Sequence, residues 1–162
     1  MRLGIALALT ALGCGSHAFS DVSSCSITLS GAATGASWCT SSGLYNAVSG
    51  VSSVAVTTTL SGLSISVNFP GSMHVGTFKN TDPGANTAIT FAAPATANAW
   101  TATTAGGSAQ GSYTLTLTST GTGMVSGIGN DSFPDVHGTL NATLDAVAGT
   151  GSTGAVTLAA TF

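Results

Sequence analysis

Imidazole and carboxylate groups are the side chains best suited to acid–base or metal chemistry, and this chain has few of them. Among 162 residues there are three histidines and five acids, and every acid is an aspartate: Asp21, Asp82, Asp131, Asp135 and Asp145. The densest grouping is GNDSFPDVHG, which gathers Asn130, Asp131, Asp135 and His137. Hard cations take clustered oxygen ligands, so such a set would serve a Ca²⁺-type site. Its spacing departs from the EF-hand loop, and Phe133-Pro134 reads as a turn. The stretch from Gly129 to Asp135 is therefore expected to be a solvated loop that holds no metal. His74, between Met73 and Val75, falls at the outward phase of a strand and is read as an exposed strand residue. No serine lies in GxSxG or SxxK, glutamate is absent, and the aspartates form no paired acid and base. Without convergent acid, base and nucleophile, the chain is expected to be non-enzymatic, with no catalytic residue, no cofactor and no metal.

The cysteines carry chemistry of another kind. Cys25, Ile27 and Leu29 share one face of a strand running from Asp21 to Gly31, together with Ser23. A turn-like Gly31-Ala32-Ala33-Thr34-Gly35 leads into a second strand from Ala36 to Ser41. Folding these strands back about Ala32 sets Cys25 directly opposite Cys39, within the Cα separation a disulfide accepts. Neither CxxC spacing nor a neighbouring His supports a redox or metal role for the pair.

Two further patterns concern surfaces. Trp38, Tyr45, Trp100 and Tyr113 would make a glycan-stacking platform if they gathered, although aromatics in β folds more often fill the core. The Thr-x-Thr runs at Thr114 to Thr118 and Thr101 to Thr104 resemble the flat faces of ice-binding proteins, but such faces need many aligned ranks, and no repeat length is visible.

The elements that must position these residues begin with an address. Met1 to Ala18 reads MRLGIALALTALGCGSHA: one basic residue, Arg2, then the apolar run Leu3 to Leu12, then small residues and Cys14. That layout is an export signal, too short to span a bilayer as a helix. At its end, Ala11-Leu12-Gly13-Cys14 resembles the lipobox of bacterial lipoproteins, with Ala11 where that family prefers Leu. The resemblance implies cleavage before Cys14, lipidation of its sulfur and a membrane anchor there. Ordinary secretion is the alternative: Ser16-His17-Ala18 suits a conventional signal peptidase, with cleavage after Ala18, and His17 is then incidental. Either way Cys14 is lipidated or discarded, two cysteines remain, and an oxidising compartment favours their pairing.

Residues 19–162 are expected to form a single β domain. Charged residues are 4% of the chain, against about 25% in typical domains, while apolar content is ordinary. A disordered chain would be charge-rich, so the surface here must be covered by hydroxyls. Beyond Arg2 the one basic side chain is Lys79. Nucleic-acid binding, which needs clustered cations, is excluded.

Short runs with period-two alternation fill the chain: Val51 to Leu60 and Leu63 to Phe69 about Ser61-Gly62, then Met73 to Phe78, Thr87 to Ala92, Asn98 to Thr104, Ser112 to Thr118 and Gly123 to Ile128. The closing pair is Val136 to Leu144 and Gly154 to Phe162, with Leu140, Ala142, Leu144, Val156, Leu158, Ala160 and Phe162 inward. About ten short strands without a 3.6-residue period predict an antiparallel β-sandwich, with a closed β-barrel as the alternative.

Small bacterial envelope lipoproteins resemble this chain in style, with a signal, a Ser/Thr/Gly-rich β domain and a last strand ending in Phe. The reading is a non-enzymatic, exported cell-envelope lipoprotein, lipid-anchored at the outer membrane or surface, serving as a structural or interaction module with a protein or glycan partner. The alternative is a soluble periplasmic or secreted glycan-binding module.

Overall fold

The computed structural model describes residues 25–104, 109–125 and 129–162. The expected export leader with Cys14, the start of the first predicted strand at Asp21, and the end of the predicted Gly123-to-Ile128 strand lie outside the described residues.

Alternation decides the elements. In β8 (Ser112–Ser119), Tyr113, Leu115 and Leu117 are buried while the threonines between them face outward. β12 (Ala155–Thr161) buries Val156, Leu158 and Ala160 on the same rule, and β11 (His137–Ala146) buries Leu140, Ala142 and Leu144. Such a pattern satisfies a sheet with one dry face and one wet face. The remaining strands are β1 (Ser26–Gly31), β2 (Gly35–Asn46), β3 (Val51–Thr58), β4 (Leu63–Pro70), β5 (Gly76–Lys79), β6 (Asn86–Ala92), β7 (Ala99–Thr103), β9 (Met124–Val125) and β10 (Asn130–Phe133).

These strands form one antiparallel sheet that closes on itself. The ring runs β1-β12-β11-β7-β6-β4-β3-β2 and returns to β1 through the β1–β2 hairpin. Closure removes the exposed edges of those eight strands. The all-β antiparallel expectation therefore holds, with the closed barrel as the observed path and twelve strands among the described residues where about ten were expected. Two short flaps leave the ring, β5 with β8 on β11, and β9 with β10 on β2, an arrangement compatible with the two layers of a sandwich.

Each flap exists because a ring strand is longer than its ring partner. One edge of β11 pairs β8 from His137 to Thr143 and then β7 at Asp145 and Ala146. Gly111 stands where β7 and β8 part; a Cβ there would lie 2.4 Å from the Thr143 carbonyl oxygen, and its φ of +68° suits only glycine. β2 likewise pairs β1 over Gly35 to Trp38 and β10 over Gly43 to Asn46. The interior is filled by aliphatic and aromatic side chains, among them Ile27, Val67, Ile89, Leu115, Leu140 and Leu158, as befits a small barrel.

Candidate functional site

The polar grouping of GNDSFPDVHG does not assemble as a loop. Asn130 to Phe133 is strand β10, paired to β2 with Asp131 opposite Tyr45. This corrects the expectation of a solvated loop over that span: the short polar segment becomes a strand because β2 offers it an unfilled edge. Asp135 is exposed in the turn after β10, and His137 begins β11. Among the described residues there is no group of three or more His, Cys, Asp or Glu side chains that could hold a metal.

Other aspartates serve turns. Asp82 Oδ2 accepts the Lys79 amide at 2.7 Å, and Asp145 Oδ2 accepts the Gly111 amide at 2.8 Å. His74 is exposed; its Nδ1 donates to the Ser72 carbonyl at 2.7 Å and its ring meets Phe69 and Phe78 edge-on.

One juxtaposition escaped sequence reasoning. Ser41, Asp135 and His137 line the same small hollow beside Cys25 and Cys39. A serine nucleophile needs its hydroxyl bonded to the base, whereas Ser41 Oγ donates to the Val136 carbonyl at 2.7 Å. The hydroxyl ties β2 to the connection between β10 and β11.

Cys25 and Cys39 are bonded, with Cα atoms 4.8 Å apart. The β1–β2 register is the one expected from folding about Ala32: Ser26 faces Trp38, Ile27 faces Ser37 and Thr28 faces Ala36.

The four aromatics proposed as a platform part company. Trp100 and Tyr113 are each only 3% exposed and Tyr45 is half-buried, whereas Trp38 is 73% exposed. Trp100 stacks on Phe91 and donates its Nε1–H to the Gly154 carbonyl at 3.2 Å. Tyr113 carries a phenol raised above its usual pKa, first by burial and then by the negative field of Asp82, with the nearby Thr87 hydroxyl acting the other way.

The threonine runs also divide. Thr101 is buried and donates to the Ile89 carbonyl at 3.1 Å, so that run presents no flat face. Thr116 does align: Thr77, Thr116, Thr139, Thr161 and Ser26 form one outward row across β5, β8, β11, β12 and β1, which Trp38 continues on β2.

β2 is where the apolar pattern inverts. Its inward positions Ser37, Cys39, Ser41 and Gly43 are small, and its outward positions include Trp38 and Leu44. At Gly43 a Cβ would lie 2.7 Å from Met73 Cε and 2.8 Å from Val136 Cγ2, so the interior has no room there for a larger side chain. Parity then sends Trp38 outward, because Cys39 must face inward to reach Cys25. The ring stands between two shallow grooves. One is lined by Ser26, Thr28, Ala36, Ser37 and Thr59, the other by Thr40, Thr57, Thr58 and Thr59. Neither contains a charged side chain. The backbone beneath is pinned, since the Trp38 carbonyl accepts from Ser37 Oγ at 3.0 Å and Thr58 Oγ1 at 3.2 Å. No family model, characterised protein or solved structure matches the chain.

Proposed function

We propose that this chain is an exported, lipid-anchored, non-catalytic module of the bacterial cell envelope that acts by binding through its outer surface. The observation that carries the reading is the contrast between a barrel interior filled with apolar side chains and an outer row of Ser and Thr hydroxyls that ends on an exposed Trp. A surface poor in charge contacts a partner through hydroxyls and aromatic area rather than by ion pairing. The leader ending in Gly13-Cys14 supplies the anchor, and two acyl chains are about what stable attachment takes.

Fractionation of the native host tests this. Wild-type protein should sit with membranes and carry an acylated Cys14, while Cys14→Ser should be released or remain as uncleaved precursor. A mature wild-type chain that begins at Phe19, soluble and without lipid, would replace the anchor by plain secretion. The second reading, a secreted or surface glycan-binding module, is favoured by the exposure of Trp38.

A further inference from the structure

From the ridge at Trp38 we infer a binding site for a neutral glycan, in which a sugar ring stacks on the indole and its hydroxyls bond to the Ser and Thr side chains of the flanking grooves. The inference deepens the binding role proposed above and names its site and ligand class.

Three observations converge on it. First, β2 alternates in burial but inverts its chemistry, with small residues inward and its largest apolar side chain exposed; such a break in local consistency is expected where function rather than stability chose the residue. Second, the backbone that carries the ring is pinned. The Cys25–Cys39 bond fixes the register of β1 on β2, and two side-chain hydroxyls bond the Trp38 carbonyl. A Trp on a pinned strand presents a large contact area with only two side-chain torsions to order on binding. Third, the groove chemistry selects the occupant. Ser26 and Thr28 on one side and Thr40 and Thr57 on the other present hydroxyls that donate and accept hydrogen bonds, Ser37 bonds Thr59 and both Ser37 and Thr58 bond the Trp38 carbonyl, and no side chain lining either groove carries a charge.

A phosphorylated, sulfated or uronic-acid ligand would find no counter-charge there. A wholly apolar ligand would strip water from the hydroxyls of Ser26, Thr28, Thr40 and Thr57 without replacing its hydrogen bonds, which costs free energy. A pyranose fits both demands, having apolar C–H faces and a rim of hydroxyls.

Trp38 also supplies the readout. The chain has two tryptophans, and Trp100 is buried, so the solvent-exposed component of the fluorescence belongs to Trp38. The experiment is affinity electrophoresis and tryptophan fluorescence of the mature domain with hydroxyethyl cellulose, a galactomannan and dextran as neutral probes, and polygalacturonate as the charged control.

At least one neutral probe should retard the protein, shift the exposed emission to the blue and protect it from acrylamide. Trp38→Ala should weaken binding by roughly thirtyfold, the loss typical of an aromatic anchor, with the thermal midpoint unchanged because the ring is exposed. Thr28→Glu, in the groove lining, should weaken binding to the same probe, and Trp38→Tyr should retain part of it. Retardation by no neutral probe, or retardation that Trp38→Ala leaves intact, would overturn the site. So would a concentration-dependent dimer abolished by Trp38→Ala, which would make the ridge a contact between copies of this chain. None of these results bears on the anchor at Cys14, which fractionation tests separately.

Discussion

At the scale of single residues, the interior formed by the described residues holds one polar blemish. The Tyr113 hydroxyl and Thr87 Oγ1 are both buried, and neither meets a partner in hydrogen-bonding geometry, although Thr87 lies near enough to favour the ionised phenol slightly. A buried hydroxyl without a partner costs about 1–3 kcal/mol of desolvation. Tyr113→Phe should therefore be neutral or stabilising by up to about 1 kcal/mol in urea denaturation, where most core substitutions destabilise. The same residue sets an alkaline limit. Its phenol is raised by burial, so the folded state holds the proton that the unfolded state gives up; this contribution is complete below the unfolded phenol pKa of about 10 and is lost as pH rises through the folded value. Tyr113→Phe should flatten the fall in stability above about pH 10. Gly62 is a harsher case, with φ of +82° and a Cβ that would lie 1.9 Å from the Ala92 carbonyl oxygen. Gly62→Ala should destabilise by more than the roughly 1 kcal/mol that the exchange gains where the backbone suits alanine, read as a lower denaturant midpoint with an unchanged slope.

At the scale of elements, β2 is the strand on which most depends. Its first half closes the barrel on β1, its second half carries the β9–β10 flap, and its outward face presents Trp38. The disulfide closes a loop of 14 residues and contributes about 3 kcal/mol in the chain-entropy model. A Cys25→Ala/Cys39→Ala double variant should lose that amount in denaturant titration. It should also lower the affinity of the Trp38 site even where the fold survives, because the register that turns Trp38 outward is then held by hydrogen bonds alone. The flaps end in strands of four and two residues, β5 and β9. Short edges, with Lys79 on one of them, are a usual guard against edge-to-edge association.

For the whole molecule, stability rests on joining segments distant in sequence. β1 lies between β2 and β12, so the ring is complete only when the strand after Cys25 meets the one before Phe162. Phe162 is buried, and its backbone exchanges hydrogen bonds with Gly138 at 2.6 and 2.9 Å. Phe162→Ala should cost about 3–5 kcal/mol, the range for emptying a buried aromatic site, and should raise the unfolding rate in stopped-flow measurements more than it slows folding if this last pairing forms late. With so many long-range pairings, folding should take milliseconds to seconds rather than microseconds.

The sequence by itself determined what depends on neighbours along the chain. The alternation of Tyr113, Leu115 and Leu117, and of Val156, Leu158 and Ala160, named the inward faces, because side-chain direction in a strand has period two whatever the partner. The turn at Ala32 set the hairpin register and with it the Cys25–Cys39 pair. Tertiary structure alone decided which strand edges were free to accept others. Asn130 to Phe133 reads as a loop until the unfilled edge of β2 makes it a strand, and Thr101 reads as surface until β6 and β7 carry it inside. Closure of the ring, and the separation of Trp38 from Trp100 and Tyr113, likewise depend on pairings between segments far apart in sequence, which local periodicity does not encode.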